Sequence, residues 1–413
     1  MINSKAKVYI FIQNALKIGV VNIIFIYIVL IFVEAFLHVY PSIQKPTEAQ
    51  IAENERSYRD KILTKKLMSR GYLPTFYPVD DIKKDEISAR AVKYSYFPIA
   101  SFPLKTTILC NEGYGMKLQN SDELGFRNPK GVWSKLNGSH SIVVGDSFVH
   151  GSCVDQNQTI SSQLVLQNSS LFINAGIGSH DFVMYRKVLD EVVFNGGNVK
   201  LNLPKNLIIV FYRNDFIPPS QYQDFYRDLR SMLRWPSVSV ATSSSVEIPE
   251  NGKNFFTDLE KYYNKQIEKY ISDDKKINNS PPLMILSFPR LFILYNLRTR
   301  FKMWRLAASE NKKISQQALD LVRYSYEKCR IKCKVIVAYI PNSDYWRPQE
   351  SGSVKAFSQA LENSDYDNKY FRYLDMSQAL HPLGKKAYAP EGGHLSPSGY
   401  KTVADLIGKY LKK

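Results

Sequence analysis

Apolar and polar positions follow two regimes along this chain. From about residue 139 onward, short continuous apolar runs alternate with stretches of helical periodicity. The runs are HSIVVGDS (140–147), LFINAGI (171–177), KNLIIVFYRND (205–215), KVIVAYIP (334–341) and YFRYLDMS (370–377). Between them lie the helix-like DFVMYRKVLDEVVF (181–194) and helical stretches near 310–332 and ahead of 370. SPSGYKTVADLIGKYLKK (396–413) reads as a closing helix, with Ser396 as its cap and Pro397 in its first position. Runs apolar on both sides and joined by helices predict an α/β fold whose parallel sheet is covered on both faces. Ligands of such folds bind at the carboxyl ends of the strands.

The earlier part of the chain reads differently. IGVVNIIFIYIVLIFVEAFLHVY (18–40) is apolar on all faces and, as a helix, reaches roughly 35 Å, enough for a bilayer core. Lys5, Lys7 and Lys17 precede it and no acidic residue does, which places a short N-terminus (1–17) in the cytoplasm and the bulk outside. HVYPSIQKP carries no small-residue cleavage site, so the segment is expected to be an uncleaved signal anchor. Residues 41–110 are expected to be a stalk or lead-in packed on the main domain, which runs over 111–413 with an insert at about 216–310.

Composition changes the picture little. The 413 residues are 44% hydrophobic and 23% charged, the balance of a folded chain. The 55 Lys+Arg against 38 Asp+Glu give a net +17, compatible with an anionic glycan or membrane face. No zinc-finger spacing, RNP-like string or P-loop accompanies it, and no nucleic-acid partner is expected. Outside the cytoplasm the four cysteines can pair in three ways. Cys329 with Cys333 at a helix end, leaving Cys110 for Cys153, is one of them.

Candidate chemistry sits at the strand ends. In VVGDSFVHG (143–151), Ser147 stands at a strand-to-helix turn, with its hydroxyl exposed and its N–H free to donate. In EGGHLSPSGY (391–400), Glu391 lies three residues before His394 and is placed to hold one imidazole nitrogen while the other takes the serine proton. His38, His140, His150, His180 and His381 compete for that role, without such a carboxylate. Asn214 in YRND (212–215) offers an amide to an oxyanion, and the glycines of NAGIGS (174–179) admit close backbone approach. Each string alone is also an ordinary turn or cap.

Their order along the chain resembles the SGNH, or GDSL, hydrolases over roughly residues 120–413. VVGDSFVHG is similar to the family's first block, INAGIGS to its second, YRND to its third and EGGHLSPSG to its fifth. LGFRNP (124–129) is similar to a string of membrane-anchored bacterial members. The resemblance implies a flavodoxin-like three-layer α/β/α sandwich and a serine hydrolase acting on carboxylic esters. It makes Ser147 the nucleophile, His394 the base and Glu391 the acid, with an oxyanion hole from Ser147, Gly178 or Ser179, and Asn214. Glu391 replaces the usual Asp, Arg213 the usual Gly before Asn214, and Ser179 a usual Gly. No cofactor or metal is implied. The partners implied are an acylated, chiefly acetylated, surface glycan, the bilayer through the N-terminal helix, and a membrane acyltransferase if the enzyme transfers acetyl groups. A non-catalytic glycan-binding or assembly module on the same fold is a further reading.

Overall fold

The computed structural model describes residues 20–22, 25–33, 48–136, 139–168, 170–194, 203–216, 232–242, 245–272, 315–343 and 352–412. The chain divides into two compact units, Met1–Ser57 with Lys276–Ser309, and Tyr58–Lys275 with Glu310–Lys413. In the first, residues 20–22 and 25–33 are helical, and Val21, Phe25, Ile26 and Phe32 stand exposed. Among the described residues no helix is long and apolar enough to cross a membrane. Residues 18–19, 23–24 and 34–40 of the expected anchor, and 217–231, 243–244 and 273–310 of the expected insert, lie outside the described residues.

The second unit is built on five parallel strands: β1 (Ser141–Gly145), β2 (Phe172–Gly176), β3 (Asn206–Tyr212), β4 (Lys334–Ile340) and β5 (Phe371–Asp375). Their order is β2-β1-β3-β4-β5. This is the doubly wound order of flavodoxin-like sheets, in which the strand order reverses across the sheet between the first and third strands and leaves a crevice there. All five coincide with the apolar runs of the sequence.

Successive strand residues enter opposite cores, as strand geometry requires. Leu207, Ile209 and Phe211 join one buried cluster, and Ile208 and Val210 the other. On the first face pack α4 (Phe182–Val188), α5 (Glu250–Ser272), α6 (315–329) and α7 (Gly352–Glu362), through Tyr185, Phe255, Val322 and Phe357. On the second pack α2 (Ser147–His150), α3 (Ile160–Asn168) and α8 (Pro397–Leu411), through Val149, Leu164 and Val403. Ser396 caps α8 by accepting from the Gly399 N–H at 3.0 Å. The architecture is a three-layer α/β/α sandwich.

From Tyr58 onward the lead-in packs within this unit. The second half of α1 (Glu48–Met68) belongs to this unit, and Phe76, Tyr96 and Phe102 are fully buried in the first core against Phe255 and Phe256 of α5. The Pro- and aromatic-rich stretch thus supplies core residues, because its rings meet an amphipathic helix from the insert. Disulfides join Cys110 to Cys153 and Cys329 to Cys333.

Candidate active site

The turn after β1 holds Ser147. Gly145 is bare because a Cβ there would lie 2.8 Å from the Val210 carbonyl oxygen and closer still to Val149. The Asp146 carboxylate accepts from the Phe148 N–H at 2.9 Å, which starts α2 and makes Ser147 its first residue. Arg127 ends the same helix, donating to the His150 and Gly151 carbonyls and, at 2.7 Å, to Val154. Burial lowers its guanidinium to about 10. Asn128 pairs with both main-chain groups of Asn174 at 2.8 Å. Asn174 in turn donates to the Val149 carbonyl at 2.7 Å, tying α2 to β2. LGFRNP therefore braces the turn that carries the serine.

Ser147 and His394 meet, with Oγ 2.9 Å from Nε2. The other ring nitrogen, Nδ1, lies 2.7 Å from Oε1 of Glu112, whose Oε2 accepts from the His394 N–H at 3.2 Å. A carboxylate on Nδ1 fixes the proton there and leaves Nε2 as acceptor for the serine hydroxyl. Phe148 lies 5.1 Å from the imidazole and stacks on Tyr212 at 3.8 Å, so the ring is backed by a packed aromatic pair.

Glu391 does not hold the histidine. Its carboxylate is turned outward onto Arg59 of α1, 2.6 Å away, and its N–H donates to the Glu112 carbonyl oxygen at 3.2 Å. The acid comes instead from the lead-in, across a backbone that must be bare at Gly392: a Cβ there would fall 1.9 Å from the Glu112 carboxyl carbon. The loop bearing Glu112 is closed by the Cys110–Cys153 disulfide, by Lys117 N–H on the Cys110 carbonyl at 2.8 Å, and by Asn111 on Asp60 at 2.8 Å.

The oxyanion candidates occupy three strand ends, those of β1, β2 and β3. The N–H groups of Ser147, Gly178 and Ser179 have no acceptor among the described residues. Ser179 has φ +65°, the left-handed region in which glycine is easier, and its hydroxyl donates to Asp80. A Cβ on Gly178 would strike the Tyr77 ring at 2.5 Å, so residues of the lead-in cover this turn. Asn214 is exposed after β3, while Asp215 makes the turn by accepting from the Tyr212 N–H at 2.9 Å and the Tyr185 hydroxyl at 3.1 Å. Burial lifts the Asp146 carboxyl to about 6, offset by the Phe148 N–H, His394 and the Asn214 amide. Burial and then Asp146 lift Asp215 further above the ordinary range.

Three of the histidines not chosen from sequence lie in the interior. His140, His150 and His180 are buried, and burial drives each below its ordinary value: His140 to about 4, His180 to about 3. Glu112, Cys153 and His394 bring potential metal ligands within 4.8 Å, but Cys153 is a disulfide sulfur and the other two are paired, so the set does not fit a metal.

What the described geometry assembles is a serine, a histidine and a carboxylate in line, beside unpaired N–H donors at the carboxyl edge of a parallel sheet. No family model matches the chain, and no curated protein matches it. Among solved structures it is similar to a member of the lipolytic G-D-S-L family from Veillonella parvula DSM 2008. That match has 10% identity and TM-score 0.37, covering 67% of this chain and 99% of that one. It is also similar to the lipase Lip_vut3 from a goat rumen metagenome, at 11% identity and TM-score 0.35, covering 66% and 97%. Likenesses this distant transfer no residue's role, and the chemistry rests on the Ser147–His394–Glu112 geometry.

Proposed function

We propose that this chain is a serine esterase of the SGNH type, anchored by its N-terminal apolar segment with the sheet domain outside the cytoplasm, that hydrolyses O-acetyl esters on a surface or exported polysaccharide. The observation that carries the esterase reading is the hydrogen-bonded line from Ser147 Oγ through His394 to Glu112. The serine hydroxyl attacks the ester carbonyl as its proton passes to Nε2, and Glu112 stabilises the imidazolium. The N–H groups of Ser147 and of Gly178 or Ser179, with the Asn214 amide, are the donors for the tetrahedral oxyanion. Protonated His394 gives its proton to the departing sugar oxygen, then draws one from the water that releases acetate. The exposed apolar side chains of 20–33 and the lysines before them support the anchor.

The test is hydrolysis of p-nitrophenyl acetate by the full-length protein in detergent, compared with Ser147→Ala and His394→Ala. Loss in both variants supports the reading. Equal rates in all three proteins sink it.

A further inference from the structure

A cleft of about 790 Å³ opens beside the Glu112–His394 pair, lined in part by the loop after β4. Tyr114, Lys385, Lys386, Tyr388 and Pro390 line it, with Ser343 from the end of β4. Ser147 and His394 do not. Yet Tyr114 lies two residues after Glu112, and Pro390 and Gly392 belong to the loop that carries His394, so cleft and triad share a wall. A chain whose ester reached Ser147 has room to continue here.

The charge on that wall has one sign. Lys385 and Lys386 are exposed, and neither has a carboxylate partner among the described residues. The two acids nearest in the loops are already engaged, Glu112 with His394 and Glu391 with Arg59. The lysines stand on a fixed backbone: the Lys386 carbonyl accepts from the Ser396 hydroxyl at 2.6 Å and from that of Ser398 at 3.3 Å, and the Lys385 carbonyl from the Tyr388 N–H at 3.1 Å. Ser396, Pro397 and Ser398 also line the cleft, so the positive end of the 15-residue α8 adds to the same potential. Cationic heads near the partly exposed Tyr114 ring suit a sugar chain bearing negative groups, which ion pairs and ring stacking hold together.

We propose that this cleft binds an anionic segment of the acylated chain, carboxylate- or phosphate-bearing, and that Lys385 and Lys386 select an acidic polyol chain over a neutral one. Naming that chain as substrate rests on the esterase reading; the binding itself does not.

The experiment measures affinity by calorimetry in full-length Ser147→Ala, at 50 mM and 500 mM salt. The probes are trigalacturonate, a glycerol-phosphate oligomer and neutral cellotriose. At least one anionic probe is expected to bind, about tenfold more weakly at high salt and about tenfold more weakly with Lys385→Gln and Lys386→Gln added. Which anion binds tells carboxylate from phosphate. Lys409→Gln, the same charge change at the far end of α8, is expected to leave binding as it was. Absence of anion binding, an affinity unmoved by the two substitutions, or equal affinity for cellotriose would overturn the proposal. Hydrolysis of p-nitrophenyl acetate by the wild-type chain is read separately. Binding without hydrolysis removes the esterase reading and leaves the cleft standing; hydrolysis without binding does the reverse.

Discussion

Glu112 and His394, 282 residues apart, are joined twice: Oε1 to the ring Nδ1 at 2.7 Å and Oε2 to the main-chain N–H at 3.2 Å. One carboxylate thereby sets both the tautomer of the imidazole and the position of the backbone that carries it. Glu112→Ala is expected to lower kcat for p-nitrophenyl acetate by on the order of 10²–10⁴ with little change in KM. Glu391→Ala removes only a solvent-screened ion pair with Arg59 and is expected to keep kcat within about fivefold. Steady-state kinetics on the two variants decide between these carboxylates. A large loss in Glu391→Ala with Glu112→Ala unharmed would reverse the assignment.

The Glu112 loop lies outside the parallel sheet, and the Cys110–Cys153 bond ties it to the segment just after α2. Closing a sequence separation of 43 residues restricts the unfolded chain by about 4 kcal/mol, against about 2 kcal/mol for the separation of 4 between Cys329 and Cys333. Replacing Cys110 and Cys153 by Ser is therefore expected to cost more stability in urea than replacing the other pair. Only the first replacement is expected to lower kcat as well, since only it frees the acid. Equal effects of the two replacements on both readouts would count against this coupling.

The same disulfide explains what the sequence shows and what it conceals. Four of the five strands, all but the partly exposed FRYLD of β5, are legible because each is apolar on both sides, and Ser147 and His394 are legible because each sits at a strand end or just before a capped helix. Glu112 has no such mark. NEGYG has no periodicity, and its carboxylate reaches His394 through a covalent link and a bare Gly392, both nonlocal. The cysteine two residues before Glu112, once paired with a cysteine six residues after the serine, is the signal that points there. EGGH misleads because its first glycine, Gly392, is there to let another acid pass. That the lead-in packs on the main domain is an expectation of the sequence, but its partners are not legible there, because Phe76 and Phe102 find them on a helix of the insert.

His180, directly after the Ser179 turn, is buried with neither ring nitrogen hydrogen-bonded among the described residues. Burial holds it near 3, whereas the unfolded residue titrates near 6.5. Between those values the unfolded chain binds a proton that the native state does not. Stability from this residue is whole above about pH 6.5 and is lost as the pH falls toward 3. At roughly 1.4 kcal/mol per unit, the loss at pH 5 is about 2 kcal/mol. Urea unfolding of wild type and His180→Phe at pH 7.5 and pH 5 is expected to show the variant gaining about that much on acidification. Parallel pH dependences would mean the ring is already protonated or solvated in the native state.

Gly392 gives the most direct check of how the acid reaches its histidine. A Cβ at this position would lie 1.9 Å from the Glu112 carboxyl carbon and 2.2 Å from Oε1, whereas one on Gly393 meets nothing within 4 Å. Neither glycine has a positive φ, so alanine is sterically allowed by the backbone at both. Gly392→Ala must push the carboxylate off Nδ1, and kcat is expected to fall on the order of 10², with Gly393→Ala close to wild type. If the loss arises through Glu112, adding Gly392→Ala to Glu112→Ala costs nothing further, because the displaced group is already gone. Additive losses in that cycle would mean that Gly392 matters for the loop alone, and full activity in Gly392→Ala would show that the carboxylate does not need this path.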